Sequence, residues 1–259
     1  METTNTYVIG TSGYSFKDWV GTFYPDRTQP KDMLANYVQH FETVEINFTF
    51  YRIPPARTID AIARKAPEGF RFWVKANQAT THEGERGIRE PFLEGIAPMR
   101  EAGKLAGLLF QFPQRFHRTI ANRKFLAGVL EDYGDVPAAV EFRHASWEDP
   151  SVAGSLRERN VTLVVPDVPL LPGLFRTPAA ATTKTGYLRL HSRDAAKWYG
   201  GEGVDRYDYS YSREELQEIV EAWEDLDEPM DEIYTFFNNC HHGQAAENAA
   251  ALRRILGQI

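Results

Sequence analysis

Eight short apolar runs recur along the chain, and stretches with helical periodicity separate most of them. The runs begin at Tyr7, Thr43, Phe70, Gly107, Ala138, Thr162, Gly186 and Ile233. In the stretches 31–41, 56–66, 91–104, 119–133, 149–160, 212–226 and 244–259, apolar residues repeat at three and four positions, as one buried helix stripe requires. The segment 168–182, rich in Pro and Ala, lacks such a pattern after its strand. Strands that alternate with helices predict a parallel sheet.

The number of strands favours a closed barrel over an open sheet. The chain has 259 residues, and a (β/α)8 barrel takes about 250 residues as one unit. A doubly wound open sheet more often has fewer strands and a glycine-rich first turn, and "GTSGYS" after the first run lacks that spacing. We therefore predict an α/β fold, a single TIM-like barrel domain over residues 1–259 with a polar C-terminal mouth.

Polar side chains interrupt the apolar runs near their C-terminal ends. In the second run, Val44 and Ile46 alternate with Glu45 and Asn47. In a barrel, one face of each strand meets the helices and the other meets the interior. The same pattern places polar residues inside or at the ends of the other strands, namely Lys75, Gln111, Glu141, Arg143, Asp167, Arg189, His191, Asn238 and Asn239. We predict that they converge on the C-terminal mouth, where barrel enzymes hold their catalytic residues.

Glu45 and Glu141 are the predicted catalytic acid–base pair. General acid–base catalysis uses two groups whose environments separate their pKa values, and Lys75, Arg143 and Arg189 would provide such environments. The alternative is a structural network in which acids and bases neutralise one another. Buried ion pairs contribute little net stability compared with apolar replacements. Since stability alone would not explain such a network, a catalytic role is favoured. On that interpretation, Glu141→Gln is expected to be neutral or stabilising.

The cationic side chains predict an anionic ligand. Arg143 and Arg189 can each hold a carboxylate or phosphate through two parallel hydrogen bonds, and Lys75 adds a compact charge. No phosphate-binding motif identifies the chemical group. We predict that no cofactor takes part and that the ligand is bound by Asn47, Lys75, Gln111, Arg143, His144, Asp167, Arg189, His191, Asn238 and Asn239.

Metal binding is the weaker interpretation of the same residues. Catalytic zinc needs about three His, Asp or Glu ligands around one point, and the sequence contains no His-Glu-x-x-His motif. Glu45, Glu141, Asp167, His191 and His242 could converge, but the neighbouring Lys and Arg side chains would repel a divalent cation. We therefore predict no metal site.

Composition narrows the partners and the compartment. A net charge of −7 argues against a generally basic nucleic-acid surface, although it is compatible with a local basic cleft. Cys240 is the only cysteine, which indicates a reducing compartment. No apolar run approaches the roughly 20 residues that span a bilayer, and the N-terminus does not resemble a signal peptide. We predict a cytoplasmic protein without a membrane segment.

Several motifs together resemble one known family. "IGTSGYSFKDWVGTFYP", "HFETVEINFTFYRIP", "VEFRHASW" and "YTFFNN" are similar to the DUF72 (YecE-like) family, and the resemblance extends from Ile9 to the last helix. It implies a TIM-barrel-like fold and names no reaction. Some members have been likened in architecture to endonuclease IV and sugar-isomerase barrels, which is an analogy of fold alone. The chain departs from the family pattern at Cys240, where an aspartate is usual.

Three functional hypotheses follow. The favoured one is a barrel enzyme, hydrolase-like or isomerase-like, that acts on a small anionic metabolite with Glu45 or Glu141 as the base. The second is a nucleic-acid or phosphodiester-binding protein resembling endonuclease IV in fold, which predicts a steep salt dependence. The third is a ligand-binding barrel without turnover.

Overall fold

The computed structural model describes residues 5–200, 205–227 and 230–259, and within them eight parallel strands form a nearly closed barrel. The strands are β1 (Tyr7–Thr11), β2 (Thr43–Ile46), β3 (Arg71–Lys75), β4 (Leu105–Gln111), β5 (Ala138–Glu141), β6 (Thr162–Asp167), β7 (Thr185–Leu190) and β8 (Glu232–Phe237). Each corresponds to one of the eight apolar runs. The predicted α/β barrel is therefore confirmed.

Helices follow most of the strands along the chain. They are α1 (Met33–Tyr37), α2 (Phe48–Tyr51), α3 (Ala56–Lys65), α4 (Gln78–Thr81), α5 (Arg89–Glu101), α6 (Ile120–Asp132), α7 (Ser151–Glu158), α8 (Ala195–Trp198), α9 (Arg213–Glu224) and α10 (Gln244–Ile255). The seven helical patterns correspond to α1, α3, α5, α6, α7, α9 and α10, whereas the four-residue helices α2, α4 and α8 were not predicted. The stretch 168–182 contains no helix, as its composition predicted.

One seam of the barrel lies between β1 and β2. The strands pair in the order β1-β8-β7-β6-β5-β4-β3-β2, so these two fully described strands share no ladder. Gly10 approaches β2 so closely that an added Cβ would lie 2.3 Å from the carbonyl oxygen of Thr43. The hydroxyl of Tyr37 accepts a hydrogen bond from the Thr11 N–H at 2.9 Å and donates to the Thr43 carbonyl at 3.0 Å. A side chain from α1 therefore supplies hydrogen bonds across the seam.

The two faces of each strand pack into different layers. Val44 and Ile46 belong to the large apolar core between the strands and the helices. A second layer fills the barrel interior with Trp73, Leu109, Ala139, Val164, Tyr187, Tyr234 and Phe236. Glu45 lies on the interior side of β2, as the alternation predicted. Among residues 5–200, 205–227 and 230–259, no helix combines the length and apolar character that a membrane crossing requires.

Candidate functional site

Arg189 joins both predicted acids at the C-terminal end of the barrel. Its Nε and Nη2 atoms donate to Oε2 and Oε1 of Glu45 at 2.9 and 2.7 Å. Its Nη1 atom donates to Oε2 of Glu141. All three side chains are buried. Because a fork-shaped guanidinium holds two carboxylates, the three residues form one rigid unit.

The second oxygen of Glu141 has its own partners. Oε1 lies 2.7 Å from Nε of Arg143 and 3.1 Å from Nε2 of His191. Burial alone would raise the pKa of Glu141, but Arg143, Arg189 and His191 outweigh burial and hold that pKa well below its usual range. Glu141 is therefore a carboxylate at neutral pH.

His191 is neutral at the same pH and connects two strands. Burial, and then the charge of Arg143, lowers the pKa of His191 to about 3. Its Nδ1 atom lies 2.9 Å from Nδ2 of Asn238, which donates to it. The proton of the neutral ring is then on Nε2, which faces Glu141. His191 positions Glu141 and Asn238 rather than adding charge.

Tyr187 and Asn47 complete the hydrogen bonds of Glu45. The hydroxyl of Tyr187 donates to Oε2 at 2.7 Å, and Nδ2 of Asn47 donates to Oε1 at 2.9 Å. Tyr187 was not among the predicted site residues. It stands two positions before Arg189 on β7, and residues two apart share a strand face. The alternation of the strand therefore predicts that Tyr187 points inward like Arg189. With these contacts, Glu45 faces protein groups on all sides; its acid–base role stays a prediction.

A cavity of about 400 Å³ lies at this mouth. Six of the predicted ligand residues line it, three cations and three amides: Lys75, Arg143, Arg189, Asn47, Gln111 and Asn238. None of the cavity-lining residues in the described part of the chain has a carboxylate, because Glu45 and Glu141 lie beneath Arg189. The wall that a ligand would meet is therefore cationic. A separate groove of about 300 Å³ between α6 and α7 contains none of the predicted residues.

Aromatic rings form the other side of the cavity. Tyr14 and Phe16 follow β1, whereas Phe48, Phe50 and Tyr51 belong to α2. The side chain of Tyr51 is 73% exposed and stands at the rim. Helix α2, which the sequence did not predict, brings three of these rings to the site. The cavity thus suits a molecule that has an anionic group and an apolar or ring-shaped part.

Lys75 differs from the two arginines in its contacts. Its Nζ atom lies 4.2 Å from the ring centre of Phe50, and no residue in the described ranges accepts a hydrogen bond from it. Burial, and then the charge of Arg189, lowers the pKa of Lys75 to about 7, although Glu45 and Glu141 oppose that shift. The charged and the uncharged form of the Lys75 amine are therefore both accessible near neutral pH.

Four predicted ligand residues do not line the cavity, and one of them, His191, is fully buried against Glu141. His144 caps the short turn that follows β5. Asp167 faces the helices, where it accepts hydrogen bonds from Arg193. Asn239 donates to the side chain of Asn248 on α10. The physical reason is the two-residue period of a strand, since Asn239 follows the inward Asn238 directly and points to the opposite side.

The described residues contain no group of three His, Cys, Asp or Glu side chains that could hold a metal ion. Glu45 and Glu141, two of the five residues considered for such a site, bind Arg189 instead. The absence of a metal or cofactor stays a prediction.

Cys240 lines the cavity beside Ser12. Burial raises the pKa of the Cys240 thiol, with a further contribution from the charge of Glu45. The thiol is thus protonated at neutral pH and acts as a small wall residue.

A (β/α)8 barrel with a cationic cavity over a buried ion-pair unit defines a TIM-barrel protein with a candidate ligand site at its C-terminal mouth. The family model described as "Protein of unknown function DUF72" matches residues 8–259, and the chain belongs to this family. The resemblance found in the sequence motifs is confirmed.

Three relatives match the chain over nearly its whole length. The chain is 29% identical to the UPF0759 protein YunF of Bacillus subtilis, over 96% of this chain and 94% of the relative. A DUF72 family protein from Thermotoga maritima has a similar structure, with a TM-score of 0.90, 39% identity, and coverage of 98% of this chain and 100% of that one. A DUF72 family protein from Enterococcus faecalis gives a TM-score of 0.84 at 27% identity, over 97% and 96% of the two chains. None of these names states a reaction or a ligand.

Proposed function

We propose that the protein binds a small molecule with a carboxylate or phosphate group at the C-terminal mouth of its barrel. The observation that supports this most directly is the composition of the cavity wall. Lys75, Arg143 and Arg189 line it, and no carboxylate does so within the described ranges. A partly desolvated cationic wall attracts anions, and the low local dielectric strengthens that attraction.

The charges beneath the cavity support the same proposal. Glu45 and Glu141 balance Arg189 and Arg143, two against two, and His191 is neutral. Within this group of residues, no carboxylate remains to compensate the charge of Lys75. Lys75 is half-buried, and a partly desolvated charge without a compensating partner is costly, so an anionic ligand would lower the free energy of protonated Lys75.

The two arginines have different parts in the proposal. The side chain of Arg189 is 2% exposed and that of Arg143 is 15% exposed. Arg189 therefore fixes the carboxylates, whereas Arg143 presents its terminal nitrogens to the ligand. Beside it, Asn47 lines the cavity and keeps its Nδ2 atom on Glu45.

Anion titrations test the proposal. Wild-type protein is titrated with sulfate, phosphate, pyruvate and a panel of sugar phosphates at constant ionic strength, by calorimetry and by thermal shift. At least one of these anions should bind and raise the melting temperature. Arg143→Gln should weaken binding at least tenfold, since a charge-assisted hydrogen bond contributes about 1.5–3 kcal/mol. Arg123→Gln, an exposed arginine on α6, should bind like wild type.

Two substitutions of Cys240 form a second matched pair of variants. Cys240→Asp places a carboxylate on the cavity wall, whereas Cys240→Asn adds a side chain of the same shape without charge. The aspartate variant should lose anion binding, and the asparagine variant should retain most of it. Equal binding by both would contradict an electrostatic origin of the affinity.

The nucleic-acid alternative gives a different outcome. A phosphodiester-binding protein would bind a single-stranded oligonucleotide more tightly than any small anion, with a log–log salt slope of several units. We expect the reverse order. As part of the same proposal, the single cysteine supports a cytoplasmic location.

A further inference from the structure

We propose that Lys75 is a nucleophile that forms a Schiff base with an anionic carbonyl compound, either a 2-oxo acid or a phosphorylated aldehyde or ketone. The inference rests on the proposed function, because the cationic wall is what selects an anionic ligand. It adds a covalent step and a substrate class to that site.

The position of the amine supports this role. Lys75 is the last residue of β3, and its amine opens into the cavity over the Phe50 ring. Two other lysines show the contrast. Nζ of Lys104 donates to the carbonyl oxygens of Ala63 and Ala66 at 2.7 and 2.6 Å, and Nζ of Lys197 pairs with Asp208 at 2.8 Å. Those amines have hydrogen-bond acceptors, whereas the Lys75 amine has only the Phe50 ring beside it among the described residues.

The charges that face Lys75 act on its protonation in both directions. Arg189 on β7 and Arg143 after β5 disfavour the charged form, and Glu45 and Glu141 favour it. His82 stacks edge-on with Phe50 at 4.8 Å. Burial and the charge of Lys75 lower the pKa of His82 to about 4, so that it adds no charge at neutral pH. A desolvated lysine beside another cation is a recognised form of activated nucleophile.

The reaction needs no co-reactant. The uncharged amine attacks the carbonyl carbon, and the electron pair of the C=O double bond moves to oxygen. The nitrogen loses one proton and the oxygen gains one, which gives a carbinolamine. Loss of the hydroxyl with a second nitrogen proton releases water and leaves a C=N bond. Carbonyl compound and amine thus give imine and water, in balance.

The charge of the protonated imine explains why the substrate should be anionic. When the imine takes up a proton from water, it carries a positive charge, which Arg189 and Arg143 would repel. A carboxylate or phosphate on the same ligand compensates that charge. Neutral carbonyl compounds lack the compensation, so the cavity should discriminate against them.

Reductive trapping tests the inference on wild-type protein. The protein is incubated near neutral pH with pyruvate or glyceraldehyde phosphate and sodium cyanoborohydride, and adducts are located by peptide mass mapping. We expect the main adduct on Lys75, formed at least tenfold faster than on Lys124, an exposed lysine on α6. Acetone and glyceraldehyde, the matched neutral compounds, should label Lys75 at least tenfold more slowly.

Two variants complete the experiment. Lys75→Arg keeps a positive charge, so it should still bind sulfate but give no adduct; Lys124→Met should react like wild type. If anions stabilise wild type but Lys75 is trapped no faster than Lys124, the Schiff-base inference is overturned and the anion site stands. If no anion binds, both proposals fail.

Discussion

Glu45 and Arg189 face each other across the barrel interior and are joined by two hydrogen bonds, of 2.9 Å from Nε to Oε2 and 2.7 Å from Nη2 to Oε1. Their side chains are 0% and 2% exposed. Neither charge can turn to water if the other is removed. Arg189 also binds Glu141, so this pair anchors the whole polar unit under the cavity.

Removal of either carboxylate should destabilise the fold. Glu45→Gln and Glu141→Gln keep the shape of the side chain but leave Arg189 with an uncompensated buried charge. We expect each to lower the free energy of unfolding by about 3–5 kcal/mol, as is typical when one partner of a buried ion pair is lost. Urea denaturation measures the change.

Glu101→Gln is the matched control, since Glu101 is exposed at the end of α5 and should change stability by less than about 0.5 kcal/mol. Neutral or stabilising effects at both buried positions would instead favour carboxylates held for catalysis, which is the outcome expected from the sequence alone. The observed contacts favour a loss of stability.

Lys75 should make stability depend on pH. Burial lowers its pKa from the ordinary value of 10.5 to about 7 in the folded protein. Between these values the unfolded chain binds more protons, so the free energy of unfolding rises with pH through this window. Lys75→Met should therefore stabilise the protein near pH 7 by about 1–2 kcal/mol. Its advantage over wild type should shrink as the pH approaches about 10, as measured by urea denaturation beside Lys124→Met.

Sulfate affinity should fall as pH rises above about 7. Protonated Lys75 attracts the anion, and the fraction protonated decreases above its pKa of about 7. The affinity should drop by up to about tenfold per pH unit until the pKa of the complex is reached. Sulfate itself does not titrate in this range, so calorimetry between about pH 6 and about pH 9 isolates the protein. Lys75→Met should bind more weakly and with a flat profile; a steep profile in that variant would assign the proton to another group.

The seam between β1 and β2 should depend on one hydroxyl. Tyr37→Phe leaves the Thr11 N–H and the Thr43 carbonyl without their phenolic partner. A buried polar group without a partner costs about 1–3 kcal/mol. We expect a loss of that size, together with faster amide exchange at Thr11 than in wild type. Tyr199→Phe, at a side chain that is 65% exposed, should change neither quantity.

The sequence determined the fold and the face on which the site lies. Eight apolar runs and seven helical patterns were enough because each reports a local period, two residues for a strand and about 3.6 for a helix. The same period placed Glu45 inward between Val44 and Ile46, and it placed Arg189 inward on β7. It also places Tyr187 inward, on the same strand face as Arg189.

The tertiary structure alone decided which polar residues meet and which remain free. Sequence spacing does not give the distance between strands that are far apart in the chain, so the binding of both Glu45 and Glu141 by Arg189 could not be inferred. The same holds for Lys75, because the lack of a hydrogen-bond acceptor for its amine depends on where every neighbouring acceptor points. Protonation is likewise a property of the assembled surroundings, because burial and several charges from different strands act on one amine together.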